Sequence, residues 1–249
     1  MFGMNDPTQT LLQLERYVAE GRLEMSEVMA TQFTEMFLAQ KKRTADAQIM
    51  LVKGLRILCD VFSSRNKIKR AVASVKILHR ERKKLIRMLK TGAPQLLEKM
   101  TPPAEDYRRA GKIYAQAGKK GAAMKAFATC EKLSPGHVAG AMEACQLLGY
   151  DKKLVGRLLS TVQSAGPVIL YNNQFLFQPL HLPDADAQQV QAVLQAAANS
   201  GGAKAEECKN IVARITEEIG AIQRGETAAN ARLEAAMDLL KPQHDYYEY

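Results

Sequence analysis

The chain has no tryptophan, and all aromatic residues together make up only 6% of it. Runs in which β-branched and polar residues alternate are few, which argues against an all-β protein. No uninterrupted apolar run reaches the roughly 18 residues of a membrane span. The opening MFGMNDPTQT has neither a basic stretch nor an apolar core, so no secretory signal is expected. The four cysteines, at 59, 130, 145 and 208, are too sparse in 249 residues to form a disulfide scaffold. These features fit a cytoplasmic protein.

Histidine is also scarce, occurring only at 79, 137, 181 and 244. None belongs to an HExxH pair or a Cys/His ligand set, so no metal and no cofactor is expected. His79 lies on the apolar side of its helix and reads as buried or interfacial. Neither a GxxxxGK[ST] nor a GxGxxG loop is present to cradle a phosphate, and no GxSxG elbow to carry a nucleophile. The acid pairs Glu206-Glu207 and Glu217-Glu218 sit on helix surface and do not converge as an acid and a base. The chain is therefore expected not to be an enzyme.

What the sequence has in abundance is helical periodicity. Leu11, Leu12, Leu14 and Val18 recur at helical spacing over 8–21, behind Asp6 and Pro7 as cap and first-turn residues. Val28, Met29, Phe33, Met36 and Phe37 share a face of a helix over 25–41. A third helix, 44–63, is apolar over a wide arc and belongs at the centre of an N-terminal core. A long helix follows over 66–91, then a short one at 95–100. Pro102-Pro103 marks a boundary, because proline cannot continue a helix. Two helices fill 104–133 and two more 137–164. Helices return over 184–198, 203–223 and 226–240. The expected class is all-α, built of antiparallel helical hairpins.

The one strand signal is at 168–178, where Val168–Tyr171 and Phe175–Phe177 flank Asn172-Asn173-Gln174. It reads as a short β-hairpin, with an extended linker as the alternative. Three regions follow: a basic helical region at 1–100, helical repeats at 101–165, and a hairpin or linker leading to acidic helices at 166–249.

Charge follows the same division. The formal net charge of +9 is the sum of +9 over 1–100, +5 over 101–165 and −5 over 166–249. Such asymmetry suits an acidic partner for the front or an internal match between the ends.

Residues 104–135 read AEDYRRAGKIYAQAGKKGAAMKAFATCEKLSP. Tyr107, Ala110, Gly111 and Tyr114 lie on one face of a first helix, Gly118 falls at a turn, and Ala123, Phe127 and Cys130 line a second helix. Leu133 and Pro135 close the unit. This segment resembles the tetratricopeptide repeat over most of that motif's length. Ala110 stands where the family has a larger apolar residue and Cys130 where it has alanine. The segment 137–164 fits loosely, and at the front only Tyr17, Gly21 and Ser26 keep the spacing. The resemblance implies a short solenoid that binds peptides or proteins on a concave face built mostly from first helices. It also implies roles for Tyr107, Gly111, Tyr114, Gly118, Ala123, Phe127 and Pro135 in packing and turning. Arg108, Arg109 and Lys112 are then candidates to meet an acidic segment, or else ordinary solvated charge.

The second signal is a cationic stripe. At 100° per residue Lys69, Lys76, Arg80, Lys83 and Arg87 fall within about 60° of each other, flanked by Lys84 and Lys90. Ile68, Ala71, Val72, Val75, Leu78, Leu85, Ile86 and Leu89 lie opposite. The stripe suits a solvated face, a match to acidic helices of the same fold, an acidic protein partner, nucleic acid or an anionic membrane. No aromatic is interleaved with it, which weakens single-strand binding. The expected function is a protein–protein scaffold, adaptor or chaperone, a subunit of a larger assembly engaging an acidic segment. Phosphate binding to nucleic acid through 66–91 is the alternative, and self-association a third possibility.

Overall fold

The computed structural model describes residues 6–98, 103–134, 138–165 and 184–226. Among these every regular element is a helix, and the fold class is all-α. The segment 168–178, read as a β-hairpin, lies outside the described residues, as do Pro135 and the helix expected over 226–240 beyond residue 226. Contacts divide the chain into unit 1, Met1–Leu133, and unit 2, Ser134–Tyr249. The junction expected after residue 100 falls inside unit 1. Unit 1 holds 26 Lys/Arg and 13 Asp/Glu, a net +13, and unit 2 holds 9 and 13, a net −4.

Unit 1 consists of three helical hairpins. The first pairs α1 (Pro7–Ala19) with α2 (Leu23–Leu38), the second α3 (Ala45–Ser64) with α4 (Ile68–Gly92). After a one-turn helix, α5 (Gln95–Glu98), the third pairs α6 (Pro103–Gln116) with α7 (Lys120–Leu133). Helix starts are capped where the sequence provides an oxygen. Asp6 accepts from the Thr8 N–H at 2.9 Å ahead of α1, and Thr44 from the Ala47 N–H at 3.2 Å ahead of α3.

All three hairpins turn in the same way. Gly21, Asn66 and Gly118 adopt left-handed backbone, with φ of 72°, 56° and 69°. The next N–H reaches five residues back in each case: Arg22 to the Tyr17 carbonyl, Lys67 to Phe62, Lys119 to Tyr114. This is the Schellman closure of a helix. The second helix then begins two residues after the turn residue, at Leu23, Ile68 and Lys120. The fifth residue after the turn is small and fully enclosed in every hairpin: Ser26, Ala71 and Ala123.

First helices contact first helices, α1 with α3 and α3 with α6, and second helices contact the next first helix, α2 with α3 and α4 with α6. Arg56 meets Asp106, Asp60 meets Arg109, and Ser63 meets Gln116, so α6 runs parallel to α3 and antiparallel to α4. Leu14, Phe33, Leu51, Leu55, Leu78, Leu85, Leu89 and Ile113 are buried in one continuous core. Each fully buried side chain of that kind contributes about 1.5–3 kcal/mol.

Unit 2 pairs α8 (Val138–Leu148) with α9 (Lys152–Ala165) and α10 (Asp184–Asn199) with α11 (Ala205–Gln223). Asp151 caps α9 by accepting from the Lys153 and Leu154 N–H groups at 3.0 Å. Leu154, Leu158, Val190, Leu194 and Cys208 form its buried side.

Candidate functional site

The basic character of unit 1 is organised by three buried carboxylates. Glu27 on α2 holds Lys67 at 2.7 Å and Arg65 at 2.8 Å, with Arg70 at 3.4 Å. A hydrogen bond from Lys67 outweighs its partial burial and lowers its pKa. Asp106 on α6 holds Arg56 at 2.6 Å, Arg109 at 3.6 Å and Arg82 at 3.9 Å. Glu81 is the only acid among ten Lys/Arg over 66–91, and its side chain is 1% exposed. It accepts from Arg43 at 2.9 Å and Gln48 at 3.1 Å on one oxygen, and from Arg80 at 2.9 Å and Lys84 at 3.0 Å on the other. Burial pushes this carboxyl up, but hydrogen bonds from Lys84, Gln48 and Arg80 hold it down at about 2.

These acids sort the cationic stripe into two sets. Arg80 and Lys84 are tied to Glu81. Lys69, Lys76, Lys83 and Arg87 are exposed and have no carboxylate partner among the described residues. Lys76, Lys83 and Arg87, with Arg80 and Lys84, line a groove of about 450 Å³ whose remaining walls are His79 and Tyr114. Among the described residues no carboxylate lines it. Opposite the stripe, Ala71, Val72, Val75, Leu78, Leu85 and Leu89 are buried, as the helical spacing requires. Ile68 and Ile86 are half-buried.

His79 and Tyr107 face each other across α4 and α6 with ring centroids 4.6 Å apart, and His79 Nε2 lies 3.5 Å from the Asp106 carbonyl oxygen. Burial pushes the imidazole below its ordinary pKa, and Lys83 adds to that, against the opposing pull of Asp106. The groove therefore has a neutral ring beside its row of cations on α4, with Tyr114 contributed by α6.

Arg108, Arg109 and Lys112 lie elsewhere. They line a second groove of about 330 Å³ between α3 and α6, with Asp60, Ser63, Ser64, Glu105, Ile113 and Gln116. Around α6 they are turned about 100–180° from Tyr107 and Tyr114. Arg109 donates to Asp60 at 2.7 Å, and Arg108 lies 3.3 Å from Glu105. Residues joined in one partner-binding set by sequence thus occupy two grooves, and the one on first helices is lined by both signs of charge.

The repeat-like residues pack as their types suggest. Ala123 and Phe127 are fully buried, and Gly111 sits against the Phe127 ring, where an added Cβ would come within 2.7 Å of it. Tyr107 and Tyr114 face α4, and Tyr114 doubles as a groove wall. Among the described residues, no helix is long and apolar enough to cross a membrane.

Sequence reasoning missed Glu27, Glu81, Asp106 and the place of Tyr114 in the groove. Glu81 had a signal: a lone acid in a cationic helix, about 120° from the stripe, faces its neighbours rather than water. Asp106 and Tyr114 had none, since Arg56 and Arg82 are 50 and 24 residues from Asp106 and the α4 side chains that share the groove with Tyr114 are more than 20 residues away. No protein-family model matches the chain, and a search of curated proteins returns no match.

Proposed function

We propose that the chain is a non-enzymatic protein–protein scaffold or adaptor that binds an acidic segment of another protein along the α4–α6 groove. The observation that carries this reading is the row Lys76, Lys83 and Arg87, exposed beside Tyr114 and His79 and without a carboxylate partner among the described residues. Cations left without carboxylates on a rigid helix attract an anionic partner and set its register. Three hairpins with equivalent turns and equivalent small buried residues support the likeness to tetratricopeptide repeats, whose arrays hold protein ligands. A chaperone or assembly subunit is the form this proposal takes.

Two further points support it. The buried carboxylates Glu27, Glu81 and Asp106 are engaged by cations, which is the arrangement of structural ion pairs. Cys59, Cys130, Cys145 and Cys208 are free and buried, which suits the reducing cytoplasm.

Nucleic acid is the second reading, favoured by the Tyr114 ring beside the stripe, since bases stack on exposed aromatics. One titration separates the two. The full chain is tested by fluorescence anisotropy against a Glu/Asp-rich peptide and a single-stranded oligonucleotide of equal charge, at about 50 mM salt. Tighter binding of the peptide, abolished by Lys76→Glu/Lys83→Glu/Arg87→Glu, supports the scaffold. Tighter binding of the oligonucleotide transfers the groove to the second reading, and no binding of either overturns both.

A further inference from the structure

The exposed cations of the groove also carry geometry that deepens this reading, and the inference rests on it. Lys76, Lys83 and Arg87 lie within about 40° around α4, at heights of about 0, 10.5 and 16.5 Å along its axis. They form one straight row on a 25-residue helix, anchored beneath by Leu78, Leu85 and Leu89. The row is a ruler, and its spacing selects what lies along it.

A helix packed alongside, with axes about 8–10 Å apart, presents its own residues at the same rise. Laid antiparallel, its positions i, i+4 and i+11 stand level with Arg87, Lys83 and Lys76, and they share a sector of about 40°. An extended strand presents one face every 6.8 Å or so, matching Arg87 and Lys83 but falling about 3 Å short of, or beyond, Lys76. Nucleic acid has a continuous, flexible line of phosphates and no such register preference.

The groove's rings add a second requirement. His79 lies about 60° to one side of the row, and on an antiparallel helix position i+7 falls on that same side, within about 1.5 Å of its height. The imidazole, held neutral by burial and stacked on Tyr107, together with Tyr114 makes a flat surface there. Such a surface takes an apolar or aromatic side chain. Antiparallel direction follows from the macrodipole of α4, which a reversed neighbour complements.

We infer that the α4–α6 groove takes an acidic amphipathic helix, antiparallel to α4, with carboxylates at i, i+4 and i+11 and an apolar residue at i+7. The test is anisotropy and far-UV circular dichroism on the full chain with three peptides of identical composition in an Ala/Gln background. One carries the stated register, one the parallel register i, i+7, i+11, and one scatters its acids around the helix. The inference expects the first to bind about tenfold tighter than the others and to gain helicity, with Lys76→Gln, Lys83→Gln and Arg87→Gln each weakening it about 3–10-fold. Equal affinity for all three overturns the helical register while leaving an anion-binding groove in place. Tighter binding of the parallel register overturns the direction. No binding of any acidic peptide overturns the proposed function as well.

Discussion

Arg43 and Glu81, 38 residues apart in sequence, meet at 2.9 Å with their side chains 11% and 1% exposed. Arg43 precedes α3 and donates also to Gln48 and to the carbonyls of Phe37 and Gln40, so one guanidinium ties the end of α2 to α3 and α4. This pair explains why a helix as basic as α4 can lie across the core: its single acid anchors the inner side and leaves the outer cations to solvent.

Removing that acid exposes the arrangement. Glu81→Gln leaves Arg43, Arg80 and Lys84 without their carboxylate and lowers stability by about 3 kcal/mol at pH 7, measured by urea unfolding. The pH dependence follows by linkage. The folded pKa of about 2 lies below the ordinary value of 4.5. The stabilisation is therefore present above pH 4.5 and is lost as pH falls through the folded value. The wild type should lose stability between pH 4.5 and 2 through this group, and the variant should lose less in that window.

Gly111 tests the close approach within the third hairpin. An added Cβ meets the buried Phe127 ring at 2.7 Å, so Gly111→Ala costs about 1–3 kcal/mol despite alanine's better helix propensity. Gly121→Ala is the control, because nothing lies within 4 Å of the new Cβ at this exposed position of α7. It should gain up to about 1 kcal/mol. Thermal melts of both variants check the contrast.

Asn66 tests the equivalence of the hairpin turns. It adopts φ 56° where the first and third hairpins have glycine. Asn66→Gly should be neutral or stabilising by a few tenths of a kcal/mol, and Asn66→Ala should cost about 1 kcal/mol. An unchanged melting temperature in Asn66→Ala would deny the turn its role.

Much of unit 1 was legible in sequence, and the exceptions have physical causes. The helices were read to within a few residues because Leu, Val and Phe recur at helical spacing and because Asp6, Thr44 and Gly118 mark ends. The third hairpin was legible as a close-packed helical pair because its small and aromatic positions are filled in order. The close packing of the second was less legible, because Asn66 stands at its turn in place of glycine and its interior is filled by Leu58, Cys59 and Val75. The stripe was legible as a face of α4, but the split between tied and untied cations depends on Glu81 pointing inward. Tyr114 was legible only as a packing residue, since the groove forms when α6 docks against α4.

The proposed binding of an acidic segment should be pH-sensitive through His79. The groups facing it are Asp106 and Tyr107 from α6 and Lys83 from its own helix. In the free protein, burial lowers its pKa, so acidification charges it reluctantly. An acidic segment in the groove favours the imidazolium, so the bound state holds more protons and affinity rises as pH falls from 7 to 5. Peptide titrations across that range should steepen for the wild type and flatten for His79→Gln.

The most direct test compares two neighbours on α4. Lys83 has no carboxylate partner among the described residues, and Lys84 lies 3.0 Å from Glu81. Lys83→Gln should weaken an acidic peptide about 3–10-fold and leave urea stability within about 0.5 kcal/mol. Lys84→Gln should lower stability by up to about 1 kcal/mol and change peptide affinity less than twofold. Equal losses of affinity in the two variants would contradict the division of the stripe into tied and untied cations.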